Sequence, residues 1–232
     1  SSIKSSKKIR FIIKKPAQPA QPAQPAKIDL SSIKSFDNLL DQYHHKPAYV
    51  VQVGACDCIS FDTMFSHLKT NPEWAGVFIE PVPALFKMLV DNFNQHNITP
   101  NKIPINYAVA EQNQQYEINI PTGTPKWLLG CPSMINNDII SKYPSTKQMI
   151  QGVQFDTIVR QQNIQHIDIL QIDTEGYDWI IIQQIIPAFK PSIIKIEQRH
   201  LKSADKTKLK KFLTQHNYDF KRIGVDYVCQ HK

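Results

Sequence analysis

The chain contains no apolar run near the about 20 residues that a bilayer span needs, and its mean hydropathy is −0.35. The short stretch Phe11-Ile12-Ile13 is far too short for a secretory signal and has no small-residue cleavage site behind it, so none is expected there. Glycine is scarce, with 7 in 232 residues, and nowhere spaced G-x-G-x-x-G. That spacing lets a backbone turn approach a pyrophosphate, so a dinucleotide or nucleoside triphosphate is disfavoured against a nucleoside without phosphates. Cys56 and Cys58 stand as C-x-C, with Cys131 and Cys229 far away, and no C-x₂-C pair exists to build a zinc knuckle. Free thiols in a reducing compartment, the cytoplasm, follow as the expectation. Acid is missing altogether from residues 1–27, which carry Lys4, Lys7, Lys8, Arg10, Lys14, Lys15 and Lys27. The formal charge of +7 therefore belongs to this tail, and the remaining 205 residues are formally neutral. A neutral body lacks the basic field that a phosphate backbone demands, which argues against nucleic acid as the partner.

What is present begins with Pro-Ala-Gln repeated over residues 16–26. Proline at every third position imposes polyproline II, a semi-rigid spacer. Residues 1–27 are expected to be a disordered basic tail and linker, either a spacer from another domain upstream in the same polypeptide or a plain N-terminal tail. From residue 28 the pattern changes to short apolar strands alternating with helices. The predicted strands are 48–53, 76–79, 103–109, 116–120, 167–172 and 192–196, with a closing hairpin over 218–223 and 225–230. The predicted helices are 36–45, 61–69, 83–94, 155–162, 178–189 and 205–216. Residues 121–152, rich in Pro, Gly, Ser and Asn, read as irregular with one helix at most. Such alternation predicts an α/β domain over 28–232, a mostly parallel sheet with helices on both faces. Ligands on such sheets bind beyond the carboxyl ends of the strands, so polar residues just after strands are the candidates.

Four groups stand there. Val53-Gly54-Ala55-Cys56-Asp57 follows the first strand, and Gly54 allows a sharp turn close to a ligand. Glu80-Pro81 follows the second, where an acid accepts hydrogen bonds from ribose hydroxyls or caps the next helix. Asp173-Thr174-Glu175-Gly176 follows a buried strand. Asp173 and Glu175 can hold a cationic sulfonium, orient an acceptor hydroxyl or bind a divalent ion. One of them can instead cap the helix at Asp178. Glu197 and His200 follow the fifth strand, and either can act as general base. Trp127, in the irregular segment, offers a ring to a sugar or anchors a loop; Ser133 in that segment is assigned with it to the substrate.

Taken together, VGACD, FIEPVPALF, INYAVAE, FDTIV, IDILQIDTEGYD and IIKIEQRH resemble the FkbM family of S-adenosylmethionine-dependent methyltransferases, over about residues 48–200. The resemblance implies the Rossmann-like class I methyltransferase sheet of seven strands with the last antiparallel, and methylation of oxygen. It places Gly54, Ala55, Cys56 and Asp57 along the donor's methionine end, Glu80 and Pro81 at the ribose and Tyr107–Ala108 at the adenine. Asp173 and Glu175 then lie at the reaction centre, with a magnesium or manganese ion between Asp173 and Glu197 as a variant. Gln52, Cys58 and Gln171 depart from the residues common in the family. The linker is also similar to those of large algal-virus polypeptides that fuse glycosyltransferases to a methyltransferase. That likeness implies a carbohydrate acceptor, a deoxyhexose such as rhamnose, with residues 121–152 as the acceptor lid. The rival expectations are an RNA methyltransferase, a nicotinamide-dependent oxidoreductase and a non-catalytic scaffold domain.

Overall fold

The computed structural model describes residues 27–232 apart from Phe61, Thr99 and Thr124. The polyproline spacer and all but the last residue of the basic tail lie outside the described residues. Seven strands form the main sheet: β1 (Tyr49–Val53), β2 (Ala75–Ile79), β3 (Lys102–Ile105), β7 (Ile169–Ile172), β8 (Ile193–Glu197), β9 (Tyr218–Ile223) and β10 (Asp226–His231). Their order is β3-β2-β1-β7-β8-β10-β9. The pairs from β3 through β8 are parallel, and β10 runs antiparallel to both β8 and β9. This is the mostly parallel α/β sheet, with its last strand antiparallel, that the resemblance implies. The order reverses between β1 and β7, so a crevice opens beyond their carboxyl ends.

Alternate residues of each strand face opposite layers. Val51, Val53, Leu170, Ile172, Ile194 and Ile196 pack under α5 (Phe155–Gln162), α6 (Asp178–Phe189) and α7 (Ser203–Gln215). Val50, Phe78, Ile169 and Ile193 face α2 (Met64–Thr70), α3 (Pro83–Gln95) and the segment from Ile33 to Tyr43 that includes α1 (Asp37–Leu40). On that second face Val50, Ile169 and Ile193 form an apolar row across three strands. Two residues further on, Gln52, Gln171 and Lys195 form a polar one. The core therefore stops short of the carboxyl edge on this side.

The strand predicted over 103–109 divides. β3 ends at Ile105, and the Asn106 amide donates to the carbonyls of Glu80 (2.8 Å) and Pro81 (3.0 Å), turning the chain outward. β4 (Ala108–Val109) then joins a second, three-stranded sheet of order β4-β6-β5. Its other members are β5 (Gln114–Pro121) and β6 (Ser145–Val153), paired antiparallel from Gln114↔Gly152 to Pro121↔Ser145. β6 is a strand where irregular chain was expected, and the hairpin carries a short helix, α4 (Asp138–Lys142), between its arms. The first half of β6 is exposed, so it shows no apolar alternation for a sequence to reveal. The predicted helix 36–45 is α1 followed by a 3₁₀ turn over Asp41–Tyr43.

Candidate functional site

Two cavities open beyond β1 and β7 and share one wall. The first, with an empty volume of about 560 Å³, is lined by Glu80, Pro81, Tyr107 and Ala108 and by the apolar side chains of Leu85, Ile118 and Met134. The second, about 710 Å³, is lined by Asp62, Gln171, Lys195, Trp127, Ala55 and Cys131. Gly54, Cys56, Gly130, Asp173 and Glu175 line both.

The turn after β1 is pinned by the Gly54 and Ala55 N–H groups, which both donate to the Ile79 carbonyl at 3.0 Å. Gly54 has φ +82°, and a Cβ there would lie 1.8 Å from the Asp173 carbonyl oxygen. Only glycine lets the β1 and β7 turns meet this closely. Asp57 lines neither cavity. Its carboxylate accepts the Ile59 and Ser60 N–H groups at 3.0 and 2.7 Å and so braces the loop.

Glu80 is buried, and each of its oxygens accepts one backbone N–H, from Val82 (2.8 Å) and from Cys56 (2.9 Å). It ties the start of α3 to the β1 turn, and each oxygen keeps a lone pair for a ligand hydroxyl. Burial pushes its pKa up to about 7, against the lowering effect of the two N–H groups.

Neither Asp173 nor Glu175 caps α6. Asp178 makes that turn, accepting the Gly176 N–H at 3.0 Å and the Thr174 N–H at 3.3 Å. Asp173 is half-buried at the shared wall. Burial raises its pKa well above the carboxylate range, the nearby charges of Asp178, Glu175 and Asp226 push the same way, and Lys195 opposes them. Glu175 sits at φ +57°, a strained backbone for a residue with a side chain. Its carbonyl is held by the Ser133 hydroxyl and the Asn137 amide, each at 2.9 Å. Ser133 lines neither cavity and instead fastens the inserted hairpin to this turn.

Behind Glu175 lies His200, with a side chain only 3% exposed. Its Nε2 is 3.0 Å from Glu175 Oε2 and 3.8 Å from Glu197 Oε1, and its Nδ1 is 2.5 Å from Asp138 Oδ1. Burial opposes protonation of His200, but Glu175 and Asp138 outweigh it and raise the pKa. Burial also raises the pKa of Glu197, reinforced by Asp173 and Glu175. Glu197 and His200 line neither cavity. The fold gathers Glu197 with Glu175 and His200, a grouping that the sequence variant of an ion between Asp173 and Glu197 does not name; Asp173 is nonetheless the foremost charge acting on Glu197.

Several lining residues escaped the sequence. Asp62 accepts the side-chain amides of both Gln52 and Gln171 and the Met64 N–H at 2.9 Å. Lys195 reaches towards Asp226 at 3.7 Å; burial lowers its pKa, but Asp226, Asp173 and Asp62 together raise it. Trp127 lines the second cavity, 37% exposed and edge-on to Tyr143 with centroids 5.8 Å apart. All four cysteines are free thiols, and no described helix is long and apolar enough to cross a membrane.

Residues 52–220 match the family described as the Methyltransferase FkbM domain. No curated protein matches the sequence. Among solved structures, the chain is similar to precorrin-6y C5,15-methyltransferase from Geobacter metallireducens GS-15, at 12% identity and TM-score 0.47, covering 84% of each chain. It is similar to the Methanococcus jannaschii fibrillarin pre-rRNA processing protein at 13% identity and TM-score 0.46, covering 80% of this chain and 66% of that one. It is also similar to the N-terminal domain of human METTL16 in complex with SAH, at 11% identity and TM-score 0.46, over 84% and 65%. At such identities the likeness concerns the fold alone.

Proposed function

Because the chain belongs to the FkbM methyltransferase domain family, S-adenosylmethionine-dependent methyl transfer is its chemistry, and we propose that the acceptor is a sugar hydroxyl. The observation that carries this proposal is the shared wall. A largely apolar cavity with one acid at its far end meets a polar cavity at Gly54, Cys56, Gly130, Asp173 and Glu175.

The first cavity fits the donor. Its apolar side chains suit an adenine, and Glu80 retains lone pairs for two ribose hydroxyls. A sulfonium at this wall would stand beside Asp173 and Glu175, and its positive charge would favour the ionised form of Asp173 against the burial that raises its pKa. S-adenosylmethionine supplies an electrophilic methyl carbon and leaves as S-adenosylhomocysteine.

The second cavity takes the acceptor. Asp62, Gln171 and Lys195 offer donors and acceptors to hydroxyl groups, and the half-exposed Trp127 ring offers an apolar face. Three carboxylates, Asp62, Asp173 and Glu175, stand there against one lysine. That excess of acid repels a phosphodiester and favours a neutral polyol, which weighs against RNA. Asp173, whose pKa is raised, takes the proton that the acceptor hydroxyl loses. The rest of the wall positions the acceptor oxygen and excludes water. Residues 121–152, whose Trp127, Gly130 and Cys131 line this cavity, form the acceptor lid in this reading, and the glycan is a deoxyhexose such as rhamnose.

The test is calorimetric titration with S-adenosylhomocysteine beside NAD, followed by methyl-transfer assays on a rhamnoside and on an RNA oligonucleotide. Binding of the first ligand with turnover of the rhamnoside is the expected result. Turnover of RNA instead would overturn the sugar assignment. Absence of S-adenosylhomocysteine binding to folded protein would overturn the donor site itself.

A further inference from the structure

We propose that Glu175, Glu197 and His200 form a binding site for a divalent cation of the manganese class, set behind the shared wall of the two cavities. One ligand atom from each of the three lies within 4.8 Å of the other two. Ligands about 2.1 Å from a common octahedral ion sit roughly 3 Å apart when adjacent. The His200 Nε2 to Glu175 Oε2 distance of 3.0 Å matches that spacing, and the 3.8 Å to Glu197 Oε1 needs only a small adjustment.

A second observation points the same way. Glu197 is 5% exposed, and its Oε2 has no hydrogen-bond partner; Glu175 Oε2 lies close to the imidazole yet makes no hydrogen bond either. Leaving a buried carboxylate oxygen unpartnered is costly. Converging lone pairs without hydrogen-bond geometry are what a cation satisfies. The far side of the ring completes the pattern. Asp138 Oδ1 stands 2.5 Å from Nδ1, also outside hydrogen-bond geometry, and a small rotation of the ring would make the bond that turns the Nε2 lone pair towards a metal.

Charge agrees with this assignment. Three carboxylates, from Glu175, Glu197 and Asp138, surround one imidazole. A protonated His200 would still leave them in excess. Two carboxylates with one imidazole suit manganese or a similar divalent ion better than the all-oxygen shell of calcium. Glu175 belongs both to this group and to the cavity wall, so an ion here borders the acceptor.

The site itself stands on its own geometry; only its purpose rests on the methyl-transfer proposal. Chelator-treated protein is titrated with Mn²⁺ by calorimetry and by the loss of the free-ion paramagnetic resonance signal, alongside a separate titration with S-adenosylhomocysteine. One Mn²⁺ per chain is expected in the wild type. Glu197→Gln and His200→Gln should abolish binding. Asp138→Asn, at a half-exposed position that the fold tolerates, should weaken it by about tenfold. Mn²⁺ that does not bind, or that binds equally to the wild type and to Asp138→Asn and Glu197→Gln proteins of normal melting temperature, would overturn the proposal. S-adenosylhomocysteine binding without Mn²⁺ binding would refute the cation site and leave the transferase assignment intact, and the converse would do the reverse.

Discussion

Glu175 is held by its own carbonyl, and the clamp can be taken apart in two steps. Ser133 and Asn137 each donate to that oxygen at 2.9 Å, and both are buried. Ser133→Ala removes the hydrogen bond to this carbonyl, which Asn137 still satisfies, and a longer, part-buried one that Oγ accepts from the Ile135 N–H at 3.2 Å, together a loss of about 1 kcal/mol. Asn137→Ala removes the other. It also removes the cap of α4, where Asn137 Oδ1 accepts the Ile139 and Ile140 N–H groups at 3.0 and 2.9 Å. Cap and hydrogen bond together come to about 2 kcal/mol. The double variant strands the carbonyl with no partner while Glu175 still sits at φ +57°. An orphaned buried carbonyl adds a further 1–3 kcal/mol or so, so the double variant should lose about 4–6 kcal/mol, more than the two single losses together. Urea denaturation of the four proteins at constant slope measures this directly. Losses that merely add, to within about 0.5 kcal/mol, would refute a shared carbonyl as the point of attachment.

Gly54→Ala should destabilise the protein by about 3 kcal/mol or more, from the positive φ and from the Cβ driven into the Asp173 carbonyl; a denaturation midpoint close to wild type would show that the two turns are not in contact. Glu80→Gln should weaken S-adenosylhomocysteine by about tenfold to a hundredfold, the worth of a charge-assisted hydrogen bond. Because the Glu80 pKa is raised to about 7, its ionised form gains population as pH rises through 7, so wild-type affinity should climb between about pH 6 and pH 8 and that of the variant stay flat. In the free protein the same shift runs the other way: protonation favours the folded state, so the stability Glu80 contributes below its unfolded pKa is lost as pH rises through about 7. Trp127→Ala should raise the acceptor KM by about threefold to tenfold and leave S-adenosylhomocysteine binding unchanged; an unaltered KM would remove Trp127 from the acceptor site.

The main sheet was legible because its central strands are buried on both faces. Runs such as Tyr49–Val53 and Ile169–Ile172 are buried from end to end, apolar but for one glutamine each, and finish in Gly54 and Asp173, so strand and strand-end residue are seen together. β6 carries no such mark, since residues 145–147 and 149 are exposed. The floor of the second cavity was hidden for a different reason. Lys195 lies inside an apolar strand and Asp62 in a loop, and only lateral pairing of β1, β7 and β8 brings Gln52, Gln171 and Lys195 into one row. Gln52 and Gln171, which depart from the family pattern one at a time, prove to be neighbours that share Asp62 as acceptor. Asp178 outcompetes Asp173 and Glu175 as the turn's acceptor because its side chain reaches back to N–H groups that precede it. A scan for acids at strand ends ranks all three alike.

The inserted hairpin leaves and rejoins the main body at almost one point. β4 pairs with the last residues of β6, Ala108 beside Gly152 and Val109 beside Val153, and the Ala110 N–H donates to the Val153 carbonyl at 2.8 Å. A segment whose two ends are already neighbours can change in length and content at little entropic cost to the sheet below. Residues 111–151 are thus an exchangeable cassette. Recombination between relatives, in a genome or on the bench, could replace the whole excursion in one event while Gly54, Glu80 and Asp173 stay in place. With this excursion as the proposed acceptor lid, a change of acceptor would take one new hairpin that still holds the Glu175 carbonyl, rather than a rebuilt domain.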